Sequence, residues 1–260
     1  MKNPLLIGML SYNRIEMTKK AIKSLYENTN HEDYELIILD NGSDAETVAA
    51  LKTLDYNNLE IMYEPTNIGV AKGINKILER RTPEQHFMKL DNDIVFKEGT
   101  NKDWIKQVTK LFNLEILTMS SVNKIGAVSI KPYSWSESEQ KEHNLLPEYP
   151  EVTIQGVTFQ YNPEGITGCS TIYNKNVLTQ LKTFNEYGLY GYEDSMICTR
   201  MFLASYLPLY NNEIARVYHI DPGGETDYLK WKHKQAEDNF GKYLESYKEY
   251  TEKNKNLSEV

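Results

Sequence analysis

At 260 residues, with 40% apolar and 25% charged side chains, the chain can bury one sizeable core and is too balanced in composition for disorder throughout. A formal charge of −8 argues against broad electrostatic binding to nucleic acid, although a local basic patch is compatible with it. Two cysteines, Cys169 and Cys198, exclude a disulfide framework or a Cys-based zinc site and read as reduced thiols. The first apolar run is too short for a signal peptide and no stretch reaches 18 apolar residues. A soluble, cytoplasmic chain with no transmembrane segment is therefore expected.

Residues 5–10 predict a buried first strand. A helix over 16–27 follows, with Ala21, Ile22, Leu25 and Tyr26 on its inner stripe. A second strand over 34–39 ends at Asp40, and a short helix over 45–54 leads to a third strand over 59–63. The spacing then predicts a helix over 70–79, with Val70, Ile74 and Leu78 inward, and a fourth strand over 86–90. This alternation means βαβ units and a largely parallel sheet. A helix over 104–112 and a strand over 125–130 precede a polar, Pro-containing stretch, 131–164, where substrate-facing loops and a hairpin arm at 152–159 are expected. Helices over 174–181 and 193–203 flank a loop rich in Gly and Tyr, and a further strand lies within 207–217. The tail sets Leu229, Ala236, Phe240, Leu244 and Tyr247 at helical spacing, as an amphipathic helix packing on the body and fraying after about residue 253.

The triad Asp91-Asn92-Asp93 ends the fourth strand. In an extended segment residues i and i+2 project to one side, so both carboxylates would face one ligand. Oxygen donors so placed suit a hard divalent cation, Mg²⁺ or Mn²⁺, shared with a diphosphate. A plain turn is the competing explanation, since all three residues favour turns. Three more polar clusters follow the earlier strands: Ser11-Tyr12-Asn13-Arg14, Asp40-Asn41-Gly42-Ser43-Asp44 and Asn67-Ile68-Gly69. Ligands of open parallel sheets sit beyond the carboxyl ends of the strands, so four clusters on one edge describe a nucleotide-sized polar crevice. Further on stand the adjacent carboxylates Glu193 and Asp194 and the basic cluster Lys230-Trp231-Lys232-His233-Lys234. A helix-start acidic pair and a solvated helix face are their commonplace explanations. No P-loop, Rossmann glycine fingerprint, catalytic Ser–His pairing or His-x-x-x-His occurs.

Together with Asn67-Ile68-Gly69-Val70-Ala71-Lys72-Gly73-Ile74-Asn75, Gly191-Tyr192-Glu193-Asp194, Arg200 and His219, these clusters closely resemble the inverting GT-A glycosyltransferases of family 2. The similarity spans roughly residues 4–220; many relatives carry two aspartates where Asp40-Asn41 stands. The resemblance implies an α/β, GT-A fold, with a Rossmann-like, mainly parallel central sheet, flanking helices and a C-terminal helical extension. Residues 1–220 would form the glycosyltransferase domain, 1–95 its nucleotide-sugar half and 96–220 its acceptor half, with a loop and helix over 221–260. It further implies a nucleotide-sugar donor, UDP-linked, and Mn²⁺ or Mg²⁺.

Its residue roles are these. Ser11, Tyr12, Asn13, Arg14, Asp40, Asn67, Gly69, Lys72, Asn75, Asp91 and Asn92 would bind the nucleotide sugar. Asp40 would accept a pyrimidine N–H, Tyr12 stack on the base, Lys72 and Asn75 reach the ribose or phosphates, and Asp91 hold the ribose. Asp93 and His219 would bind the metal, Asp194 act as general base, and Glu193 hold the acceptor or orient the site. A turn or cap at Asp40, a core-edge Tyr12 and a solvated Lys72 are the structural alternatives. Arg200 is expected to be a structural ion-pair partner. Gly168 either allows close approach of the acceptor or makes a turn. The basic cluster could grip a phosphate-bearing acceptor. Competing functions are a metal-dependent nucleotidyltransferase, a non-catalytic sugar-nucleotide-binding module, and transfer to a modified nucleic-acid base. The first lacks its Gly-rich basic loop, and the second has no need of Glu193-Asp194. Sugar, acceptor and oligomeric state are left open, with a saccharide or glycoconjugate acceptor favoured over nucleic acid.

Overall fold

The computed structural model describes residues 3–117, 122–136, 141–154, 156–211, 213–221 and 227–255. Strand β1 (Leu5–Ser11) is buried along almost its whole length, as an apolar run covered by helices on both faces must be. The first half then alternates: α1 (Ile15–Asn28), β2 (Tyr34–Asn41), α2 (Ala45–Leu51), β3 (Leu59–Glu64), α3 (Val70–Leu78) and β4 (His86–Leu90). β1 pairs in parallel with both β2 and β4, and β2 with β3. After β5 (Ile94–Phe96) come α4 (Trp104–Leu111), β6 (Glu115–Leu117), β7 (Val122–Ile130), β8 (Pro132–Ser136) and β9 (Lys141–Asn144). The remaining elements are β10 (Glu151–Ile154), β11 (Val157–Gln160), β12 (Ser170–Tyr173), α5 (Lys175–Leu181), α6 (Glu193–Leu203), β13 (Tyr206–Asn211), β14 (Val217–His219) and α7 (Asp227–Lys255).

The large sheet runs β10-β11-β13-β7-β12-β4-β1-β2-β3, with β6 added on β7, and a second sheet runs β5-β14-β8-β9. Strand alternation sorts the core into two layers. Leu5, Ile7 and Met9 pack with Ala21, Ile22 and Leu25 of α1 and with Trp104 and Val108 of α4. Leu6 instead joins Ile74 and Ile77 of α3, Val177 of α5 and Ile197 of α6 on the opposite face. Each fully buried Leu or Ile of this kind contributes about 1.5–3 kcal/mol relative to exposure.

Three expectations need correction. Strand β12 has no predicted counterpart: it inserts antiparallel between β4 and β7, and four residues are too few to show a period. The triad 91–93 is a turn rather than extended chain, closed by the Ile94 N–H donating to the Asp91 carbonyl at 3.2 Å. The α7 face turned to the body carries Ala236, Asn239 and Tyr243, while Phe240, Leu244 and Tyr247 are exposed. The body offers α7 a loop of backbone carbonyls and tyrosine rings: Asn239 Nδ2 donates to the Tyr190 carbonyl at 3.0 Å, and Tyr243 stacks on Tyr192 at 4.6 Å. The part of the tail expected to fray includes 256–260, which lies outside the described residues.

Candidate active site

A crevice opens at the carboxyl ends of β1, β2 and β4, where a parallel sheet leaves room between diverging loops. Tyr12, Arg14, Asn41 and Asn67 line one part, Asp91, Asn92 and Asp93 the floor, and Lys89, Glu193 and Asp194 the far side. Tyr190, Trp231 and Lys232 wall the same space.

The chain leaves β1 through Asn13 and Arg14, both in the left-handed region at φ 52° and 57°, at a cost of roughly 1–2 kcal/mol each. This turn ties neighbouring loops together: the Asn13 N–H donates to Ser43 Oγ at 2.8 Å, and Asn13 Oδ1 accepts from the Asp44 N–H at 3.0 Å. It also aims the Arg14 guanidinium at Asp93 Oδ2, 3.3 Å away, and Asp221 Oδ2, 3.1 Å away. Asp40 is buried and outside the crevice lining, one residue before Asn41, which is in it; its Oδ2 accepts from the Ser43 N–H at 3.3 Å and its Oδ1 makes no hydrogen bond.

Several expected ligand residues face elsewhere. Ser11 is buried beneath the crevice, its Oγ 3.3 Å from Thr18 Oγ1. Lys72 is exposed and off the crevice lining. Asn75 clamps the chain at Phe184, donating to its carbonyl at 2.9 Å and accepting from its N–H at 2.8 Å. Gly69, at φ 91°, serves close packing, since a Cβ there would stand 2.6 Å from the Gly188 carbonyl oxygen. Asn41, outside the expected set, lines the crevice and holds the Asn67 loop through Oδ1, which accepts from the Ile68 N–H at 3.0 Å. Arg200 is structural as expected, but through oxygens that are not carboxylates: it donates to the Thr183 and Leu181 carbonyls and to Asn185 Oδ1.

At the floor, Asn92 is fixed by donating to Thr18 Oγ1 at 2.9 Å, and the Ile220 N–H donates to the Asp93 carbonyl at 2.8 Å, bringing the end of β14 over the triad. Asp93 Oδ1 is buried without a hydrogen bond and stands 3.6 Å from His219 Nε2. Donors of one octahedral ion with bonds near 2.1 Å stand about 3 Å apart, so this pair fits a divalent cation with little adjustment. Among the described residues no three His, Cys, Asp or Glu side chains converge as a cage, leaving further coordination to ligand oxygens and water, the usual state of affairs for Mg²⁺.

The far side is organised by Lys89, which sequence reasoning missed. It lies on β4 two residues before Asp91, is 3% exposed, and its Nζ donates to both Asp194 oxygens at 3.0 Å. Glu193 Oε1 lies 3.5 Å from the same nitrogen. Burial works against the ammonium, but the charges of Asp194, Asp91 and Glu193 outweigh it and raise its pKa above the ordinary lysine value. Burial pushes the Asp91 carboxyl up to about 7, with Lys89 opposing and Asp93 and Asp194 adding to the rise. Burial likewise raises Glu193, whose Oε2 accepts from the Gly191 N–H at 3.2 Å. Asp194 is the more open of the pair, its side chain 28% exposed. The Gly168 N–H donates to its Oδ2 at 3.2 Å, so Gly168 admits this carboxylate. Burial raises Cys169 and Cys198 to about 12, leaving both thiols protonated.

The basic cluster of the tail divides. Lys230, His233 and Lys234 are exposed, whereas Trp231 and Lys232 turn into the crevice. Lys232 Nζ sits 5.0 Å from the Tyr190 ring centre, and the Trp231 ring 6.5 Å from it.

The sheet order, the crevice at its carboxyl edge and the facing acidic groups define a GT-A-type α/β protein. The family model for glycosyl transferase family 2 matches residues 6–180. The chain belongs to glycosyl transferase family 2. The mannosyltransferase PcManGT from Pyrobaculum calidifontis, solved with GDP-Man and Mn²⁺, superposes with a TM-score of 0.60 at 15% identity, over 89% of this chain and 60% of that one. TarS 1-349 of S. aureus, solved with UDP-GlcNAc, gives 0.62 at 17% identity over 86% and 60%. The chain thus spans about three fifths of the length of these similar structures. No curated protein matches it in sequence, and no described helix is long and apolar enough to cross a membrane.

Proposed function

We propose that the chain is an inverting glycosyltransferase that moves a sugar from a nucleoside diphosphate sugar, UDP-linked, to a hydroxyl of a saccharide or glycoconjugate with Mn²⁺ or Mg²⁺. The observation that carries this reading is that Asp91, Asp93, Glu193 and Asp194 all line one crevice. Asp40, whose buried Oδ1 lacks a donor, accepts the ring N–H of the base, and Tyr12, exposed at the crevice mouth, stacks on it. Asp91 holds the ribose, and Arg14 carries positive charge to the diphosphate. Asp93 and His219 hold the divalent ion, which when bound supplies Lewis-acid neutralisation of charge on the leaving diphosphate. Asp194 takes the proton of the acceptor hydroxyl as its oxygen bonds to the anomeric carbon. The bond to the diphosphate breaks with its electron pair leaving on oxygen, and one in-line displacement inverts the anomeric centre. The Tyr190–Trp231 wall offers aromatic faces to the apolar face of a pyranose, and the formal charge of −8 favours a saccharide acceptor over nucleic acid. The GDP-Man, Mn²⁺ and UDP-GlcNAc found with similar structures support the donor and metal classes.

Calorimetry of UDP, GDP and dTDP, with and without Mn²⁺, tests this on wild type and Asp93→Ala. UDP should bind tightest, only with Mn²⁺, and the variant should lose the metal dependence. Equal, metal-independent affinity of all three nucleotides for both proteins would remove the assignment.

A further inference from the structure

Lys89 has no part in the scheme above, yet it places a buried ammonium in the crevice wall. A desolvated ammonium costs several kcal/mol unless closely paired, and this one is placed 3.0 Å from both oxygens of Asp194 and 3.5 Å from Glu193. Of the two carboxylates on this ammonium, Asp194 is the more open to the crevice, with its side chain 28% exposed against 7% for Glu193. With the Gly168 N–H on Oδ2, Asp194 is gripped at three points, which fixes its torsion while leaving its edge open to the crevice. The other groups acting on this pair are Asp91, Tyr173, Cys169, Cys198, Tyr190 from the crevice wall, and Glu193 from the same helix as Asp194.

We propose that Lys89 is a positioning residue of transfer: its ammonium aims Asp194 at the acceptor, then leans on Glu193 once Asp194 has taken the acceptor proton. The proton moves from the acceptor oxygen to Asp194 and later to water, and Lys89 stays charged throughout. A second carboxylate beside Asp194 thereby acquires a purpose, since it retains the ammonium while its first partner is neutral. This inference rests on the reading of Asp194 as base.

The test is the ¹³C carboxyl titration of Asp194 without donor or metal, its signal identified by absence from Asp194→Asn. In Lys89→Met the midpoint should lie at least about one pH unit above wild type, and Lys89→Arg should restore it, as an opposite charge in contact shifts a carboxyl by roughly 1–3 units. An unmoved midpoint overturns the proposal. Should Lys89→Met fail to fold, Lys89→Met/Glu193→Gln carries the same measurement with one carboxylate fewer to accommodate. Hydrolysis of UDP-GlcNAc and GDP-mannose gives the second readout. Lys89→Met should lower kcat at unchanged KM and move the acid limb upward with the carboxyl midpoint; a change in KM alone overturns the positioning role. Full turnover in Asp194→Asn would instead overturn the base assignment, and is distinguishable because the titration needs no substrate.

Discussion

At Gly168 a single missing carbon decides whether Asp194 can stand where it does. A Cβ there would lie 2.0 Å from Asp194 Oδ1 and 2.3 Å from Oδ2, well inside contact distance. Gly168→Ala must push the carboxylate off Lys89 or off the crevice edge. Displacement of a reacting group by about 1 Å costs on the order of 10²-fold in rate, so turnover should fall by about that factor while calorimetric UDP binding is retained. Undiminished turnover would mean that the carboxylate has room to retreat. Residues of this kind were unevenly legible. Asp91, Asp93, Glu193 and Asp194 stand in short acidic runs that mark themselves. Lys89 sits among apolar strand residues where a lysine reads as an edge cation, and only the arrival of Glu193 and Asp194, more than a hundred residues on, makes it a buried counter-ion. Ser11, at the end of β1, and Lys72 and Asn75, on α3, stand near the crevice loops but outside its lining: Ser11 and Asn75 hydrogen-bond within the body, and Lys72 is exposed.

Helix α7 shows what an element contributes. Its inner turns are anchored on the loop before α6, with Lys242 Nζ donating to the Tyr187 carbonyl at 3.1 Å and Asn239 to that of Tyr190. That anchorage carries Trp231 and Lys232 to the crevice. Asn239→Ala leaves a polar carbonyl of the loop without its donor, which costs about 1–3 kcal/mol when buried. The urea midpoint should fall accordingly with the slope unchanged, and the loosened wall should raise KM for sugar donors more than it lowers kcat. A variant with wild-type midpoint would show the anchorage to be dispensable. Helical spacing located this helix and included Ala236 of its inner face, but not Asn239 and Tyr243, which meet a backbone carbonyl and tyrosine rings of the loop before α6.

For the whole molecule, His86 at the start of β4 joins the first half of the chain to the second and makes stability depend on pH. Its ring stacks on Phe112 at 4.8 Å, and its Nδ1 accepts from the Lys175 N–H at 3.1 Å. Burial, with the positive charges of Lys175 and Arg81, lowers its pKa from 6.5 to about 4. The folded state therefore prefers the neutral ring. Its contribution is fully present above pH 6.5, declines as pH falls, and is gone below about pH 4, where both states are protonated. The shift amounts to at most about 3 kcal/mol. Urea unfolding from pH 7 to pH 4 should show His86→Gln losing less stability than wild type over that window. Parallel acid losses would assign the pH dependence to other groups.

The alternating pattern of the first ninety residues was decided by the sequence alone, since apolar runs, helical periods and turn residues act over a few neighbours. The four polar clusters were likewise visible, because a loop at a strand's carboxyl end declares itself locally. Strand β12 was not, for its four residues become a strand only by completing the hydrogen bonds of β4 and β7. The same holds for the buried Lys89 ammonium, the bridge from Arg14 to Asp93 and Asp221, and the crevice wall of Tyr190, Trp231 and Lys232. Each joins groups far apart in the chain, and burial, which sets the strength of their charges and the aim of their side chains, exists only once the layers have packed.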